Sequence, residues 1–148
     1  MHGDIKRILD YWRELRGPSG LLERIAIDPA DIPARLLPMI CLMSHVDSGE
    51  RVRMRLMGTN FRAFGDRDWT GAHLDELPSR MGSNRTDYLA HVKALYTLAC
   101  ERRQPVHSTG HYLFDDENLH VDTERLTCPL LEPDGNGISF MGIQISHP

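Results

Sequence analysis

Three histidines gather in the second half of the chain. His107 and His111 share one parity of a strand-like stretch with Thr109, and His120 follows across the turn Asp115-Asp116-Glu117-Asn118. Histidines at alternating strand positions can ligate zinc, which takes three or four ligands at about 2.0–2.3 Å. Asp115, Asp122 and Glu124 complete such a set only in one favourable register. A solvated sheet face accounts for the same residues more simply. His91 could serve as a haem ligand, but it lies about a quarter-turn from the centre of its helix's apolar face. Cys41, Cys100 and Cys128 are far apart and odd in number, so they form neither a disulfide framework nor a CxxC metal pair. This usage fits a reducing, cytoplasmic setting. Cys100 falls at a helix C-terminus, where the dipole disfavours thiolate, and burial in an apolar strand makes Cys128 inert. No Ser/His/Asp signature, glycine-rich phosphate loop or paired-carboxylate motif appears. The chemistry-bearing residues therefore point away from an enzyme.

The 148 residues suffice for one compact domain with its own core. A net charge of −4 argues against nucleic-acid binding, which usually shows a basic face. No apolar run approaches the ~20 residues of a membrane helix, and the N-terminus lacks a signal-peptide apolar stretch.

Asp4 to Arg16 has helical periodicity. Ile5, Ile8, Leu9, Trp12 and Leu15 form one stripe, opposite Lys6, Arg7, Asp10, Arg13 and Glu14. Gly17-Pro18-Ser19-Gly20 ends the helix and reads as a hinge. The stripe must be covered, either by the domain's own sheet or by a second copy. Pro29, Pro33 and Pro38 restrict the next segment to short turns. Met39–Val46 and the alternating Arg51–Leu56 form a hairpin, with Val52, Met54 and Leu56 on its inner face and Arg53 and Arg55 outward. Short helices holding Phe61, Phe64 and Leu74 follow. Ser83–Arg103 is the longest helix, with Tyr88, Val92, Leu95, Tyr96 and Ala99 on one face. Strands near 105–114, 119–131 and 138–146 close the chain. Ser108 and Gly110 leave room beside the face they share with Tyr112. This order implies an α+β fold: a five-stranded antiparallel sheet with short helices and one longer helix on one face, plus the N-terminal amphipathic helix.

Three sequence blocks carry a resemblance. They are Ile8-Leu9-Asp10-Tyr11-Trp12 with Leu15-Arg16-Gly17, then Ile27-Asp28-Pro29 with Asp31-Ile32-Pro33 and Leu36-Leu37-Pro38. The third is Arg55-Leu56-Met57-Gly58-Thr59 with Phe64-Gly65 and Thr70-Gly71 ahead of Leu74-Asp75-Glu76-Leu77. In order and spacing they resemble an alphaproteobacterial family of stand-alone PAS domain proteins. The second half is similar in pattern, with Cys128-Pro129-Leu130 matching a proline-containing strand. The resemblance divides the chain into a helix and hinge, 1–20, and a PAS domain, 21–148. It implies a cytosolic sensor that holds a small ligand between sheet and short helices and signals through protein contacts.

The ligand-cavity candidates are Met54, Leu56, Phe61, Phe64, Leu95, Tyr96, Tyr112, Met141 and Ile143, a set that implies a mainly apolar or weakly polar ligand. Ile5, Ile8, Leu9, Trp12 and Leu15 are the candidates for a homodimer interface, since PAS relatives pair through such helices. No haem, flavin or metal is expected. Haem-binding relatives place a histidine where this chain has Arg85-Thr86-Asp87-Tyr88, and Asn60-Phe61-Arg62 lacks the thiol of a photoactive flavin site. With the chain ending at Pro148, just past the last strand, the output is expected to pass to a separate signalling protein. Two other readings stay open: a ligand-free adaptor working by dimerisation or docking, and a small zinc enzyme built on His107, His111 and His120.

Overall fold

Strand and helix boundaries follow the hydrophobic periods closely. The structure, a computed structural model, describes residues 1–46, 51–59, 69–76, 86–114, 119–133 and 137–147. Helix α1 spans Gly3–Leu15 and α2 spans Thr86–Arg102. The strands are β1 (Leu22–Glu23), β2 (Ile40–Val46), β3 (Arg51–Met57), β4 (Val106–Phe114), β5 (Leu119–Leu131) and β6 (Ile138–His147). Single 3-10 turns occupy Arg24–Ala26, Pro29–Asp31 and Leu74–Glu76, and a longer 3-10 stretch covers Ala34–Met39. The expected hairpin turns at 47–50, 115–118 and 134–136, and the short helix carrying Phe61 and Phe64, lie outside the described residues.

The described strands form one six-stranded sheet in the order β1-β5-β6-β2-β3, with β4 also paired to β5. Five strands pair antiparallel, as expected. The addition is β1, which runs parallel to the end of β5 through Leu22↔Leu130 and Glu23↔Leu131. At 13 residues β5 is long enough to carry both β4 and β1 along one edge. Between them Pro129 has no partner on that edge. Its carbonyl accepts instead from the Trp12 indole Nε1 at 2.9 Å, which satisfies a donor that a buried tryptophan must place.

The sheet is covered on both sides. On one face α1 lays Ile5, Ile8, Leu9 and Trp12 against Leu126, Cys128, Leu130, Met141, Ile143 and Ile145. On the other face α2 lays Tyr88, Leu89, Val92, Tyr96 and Ala99 against Cys41, Met43, Val52, Met54, Val121 and Phe140. Of the two coverings open to the α1 stripe, the structure shows its own sheet. Only Leu15 of the five stripe residues is left exposed, at 37 %. Gly17-Pro18-Ser19-Gly20 is a closed turn, with Gly17 N donating to Leu21 O at 2.9 Å and Gly20 N to Gly17 O at 3.0 Å. It delivers the chain directly into β1. Arg35 adds a bidentate pair to Asp4 at 2.7 and 2.8 Å, and the Glu124 carboxylate accepts from His2 N at 2.8 Å.

One face assignment within the hairpin is corrected. Opposite Leu42 and Met43 stand Leu56 and Met54, so Arg55 is an unpaired bulge residue. A bulge puts two successive side chains on one side and shifts the alternation. Leu56 is therefore 52 % exposed, and Met57 instead packs against the core with Met54. Segment 71–73 lies along the outer edge of β3, with Met54 N donating to Ala72 O at 2.9 Å and Gly71 N to Met54 O at 2.7 Å.

Denaturant melts check this assignment. Met54→Ala is expected to cost about 2–5 kcal/mol, the usual loss for a buried methionine. Leu56→Ala is expected to cost less than about 1 kcal/mol, as an exposed site does. In the same series Leu9→Asp unfolds the domain outright, because its charge would enter the core. A folded Leu9→Asp protein that merely changes subunit number would contradict the packing of α1.

Candidate functional site

Beneath α2 the sheet places polar side chains where an apolar core would be the simpler solution. Arg125 on β5 and Gln144 on β6 are direct cross-strand partners, and in the next row Thr127, Gly142 and Cys41 line up across β5, β6 and β2. The Arg125 side chain, 2 % exposed, extends over Gly142. A methyl group on Gly142 would come within 2.6 Å of Arg125 Nη2 and 3.0 Å of Cys41 Sγ. Only glycine leaves the guanidinium its place.

The guanidinium is held by neutral partners. Nε donates to Thr127 Oγ1 at 3.3 Å, Nη1 to Gln144 Oε1 at 3.2 Å, and Nη2 to Cys41 Sγ at 3.6 Å. Nη2 also donates to the Tyr96 hydroxyl, and Cζ stands 5.4 Å from the Tyr96 ring centroid, a cation–π contact. Tyr88 donates to the same Gln144 oxygen at 2.6 Å, and Gln144 Nε2 donates to Ser146 Oγ at 3.1 Å. Among the described residues no carboxylate reaches Arg125. An ion buried without a counter-ion costs several kcal/mol even after relaxation. The hydrogen bonds and the aromatic face offset part of that cost.

Protonation states follow from burial. Desolvation pushes the Tyr88 and Tyr96 phenols upward, Tyr96 well above the usual range. Both are neutral at physiological pH. Burial alone would lower the Arg125 pKa, yet the net shift is upward and the guanidinium stays charged. Desolvation likewise raises the Cys128 thiol on the opposite face.

Of the cavity candidates, Met54 and Tyr96 are buried in this layer, with Leu95 also buried on α2 and Tyr112 partly buried beside them. Met141 and Ile143 are corrected: they face α1, and Phe140, whose ring centroid lies 4.8 Å from that of Tyr96, represents β6 here. Leu56 points to solvent, and Phe61 and Phe64 lie outside the described residues. The space expected beside Gly110 is filled by the Tyr112 ring, which lies over that glycine. Tyr112 packs edge-on to Tyr88 at 5.0 Å, and its hydroxyl is hydrogen-bonded to His91 Nδ1.

The histidines of β4 and β5 do not assemble a metal centre. His107 Nε2 lies 2.8 Å from Glu124 Oε1, and His111 Nδ1 lies 2.5 Å from Asp122 Oδ1. His120 is 5.7 Å from His111, ring to ring. Among the described residues no three His, Cys, Asp or Glu side chains are placed to hold a metal ion. Two open depressions border described residues, of about 430 Å³ between α1 and residues 31–33 and of about 490 Å³ over Thr109–His111 and Asp122–Glu124. Neither reaches Arg125.

A family model described as a PAS domain matches residues 1–145. The chain belongs to the PAS domain family. The match includes α1, and membership points to a signalling or sensor module. A comparison with curated proteins finds no match. No helix among the described residues of this PAS domain is long and apolar enough to cross a membrane.

The residue pattern carries a signal for Gln144 that the motifs above do not use. Gln144 stands between Ile143 and Ile145, and closing the hairpin at Glu132 and Gly137 pairs 125 with 144.

Alkaline titration tests the protonation states of the PAS core. All four tyrosines carry raised pKa values, with burial the leading cause in each case. An unfolded tyrosine titrates near pH 10. The stability tied to these phenols is thus complete below about pH 10 and lost as pH rises beyond it. Tyrosinate absorbance should appear together with the loss of circular dichroism. Ionisation of the buried tyrosines near pH 10 in a folded protein would contradict the geometry.

Proposed function

We propose that this PAS domain is a cytoplasmic sensor, not an enzyme, that holds a small molecule in the layer between its sheet and α2 and signals through protein contacts. The observation carrying this reading is the polar cluster around Arg125, because a domain built only for docking gains nothing from a buried charge in its core. In this account residues 1–20 supply the amphipathic helix and turn that pack on the body formed from residue 21 onward. Self-association belongs to the same reading. With Ile5, Ile8, Leu9 and Trp12 on the sheet, the exposed Leu15, Ile25 and Leu56 are apolar side chains left for such contacts.

Rearrangement on ligand binding would leave the site through α2, since Tyr88 and Tyr96 sit on that helix and bond to Gln144 and Arg125 on the sheet. Native mass spectrometry of freshly purified protein tests the proposal. The expected spectrum shows a non-covalent small molecule that is lost on collisional activation. A bare polypeptide mass from gentle preparation, unchanged after incubation with cell metabolite extract, would favour the ligand-free adaptor instead.

A further inference from the structure

Arginine has five N–H donors in a fixed fork. At Arg125 the acceptors among the described residues are Thr127 for Nε, Gln144 for Nη1, and Tyr96 and Cys41 for Nη2. One Nη1 N–H therefore has no acceptor among these residues. The hydroxyl of Tyr88 lies next to it, since both groups donate to the same Gln144 oxygen. Gly142 keeps the space over the strand free for the guanidinium. The arrangement combines an uncompensated positive charge, an unused donor and an adjoining phenol.

We infer that the layer beneath α2 is a monocarboxylate-binding site, with Arg125 as the charge partner and Tyr88 and Tyr96 as adjoining hydroxyl groups. Charge selects the class. One buried cation is neutralised by one negative charge, and no second cationic side chain faces Arg125 among the described residues. A phosphate dianion or a dicarboxylate would carry in charge that nothing there offsets. Shape selects within that class, because a planar guanidinium edge matches a planar carboxylate better than a point donor would. The anion gains the charge-assisted bond that Thr127, Gln144, Tyr96 and Cys41, as neutral groups, do not supply.

The inference rests on the sensor reading and names its ligand class. The test is the melting temperature and binding calorimetry of the full chain with acetate, butyrate, pyruvate and benzoate. Acetamide, butyramide and benzamide serve as neutral controls at constant ionic strength. At least one carboxylate should raise the melting temperature saturably, with the matching amide at least tenfold weaker. Arg125→Gln should abolish that difference, and Tyr88→Phe should weaken carboxylate binding several-fold while leaving the charge in place. If Arg125→Gln does not fold, the wild-type carboxylate–amide comparison and Tyr88→Phe still decide. Equal binding of acids and amides, tighter binding of phosphate or succinate, or carboxylate binding untouched by both substitutions would overturn the inference. A neutral molecule retained in native mass spectra with no carboxylate effect would leave the sensor reading standing and remove this one. No retained molecule and no carboxylate effect would remove both.

Discussion

A buried guanidinium with no counter-ion among the described residues sets the terms for everything around it. Arg125 stays charged, so its neighbours must supply dipoles, and they do so from four elements. Thr127 comes from β5, Gln144 from β6, Cys41 from β2 and Tyr96 from α2. The cation thereby links the sheet to the helix above it. The same requirement explains Gly142, where any side chain would displace Nη2. It also explains why the two faces of one sheet differ so much. Facing α1 are Leu126, Cys128, Leu130, Met141, Ile143 and Ile145, while facing α2 the same two strands set Thr123, Arg125, Thr127 and Gln144 beside Val121 and Phe140.

On the sensor reading proposed above, that asymmetry separates stability from function. The α1 side is a largely apolar layer whose burial supplies free energy at roughly 25 cal/mol per Å²; the Trp12 to Pro129 bond is buried in it, while Asp4 to Arg35 and His2 to Glu124 lie at its margin. The α2 side gives up part of that gain to house a charge. A PAS domain that covers both faces of its sheet can keep one rigid while the other responds to what it binds. The polar bonds from α2 to the sheet are the ones that would change.

Much of this was legible in the residue pattern, and the failures have physical causes. Strand boundaries at 106–114, 119–131 and 138–147 follow from period-two runs bounded by turn residues. The Tyr88–Ala99 face of α2 follows from helical spacing. Strict alternation through Arg55 puts Leu56 inside, and alternation carries no mark of the bulge that turns it out. Met141 and Ile143 were placed on the wrong face because β6 is buried on both sides: Phe140, Met141 and Ile143 are all apolar, so parity shows no contrast. Arg125 gives no signal of burial by its type, because an arginine in a strand ordinarily stands at a solvated face, as Arg53 and Arg55 do here. What distinguishes it is register, since it sits opposite Gln144 rather than opposite another charge.

The Arg125 guanidinium is charged, buried and held in one geometry. Nuclear magnetic resonance of its side-chain N–H groups measures this most directly. Resolved Nε–H and Nη–H signals that exchange slowly with water and show contacts to the Tyr96 ring are expected. They should vanish from the spectrum of Arg125→Lys while the signals of Arg53 and Arg55 remain averaged. A single, rapidly exchanging Arg125 signal indistinguishable from those exposed arginines would contradict it.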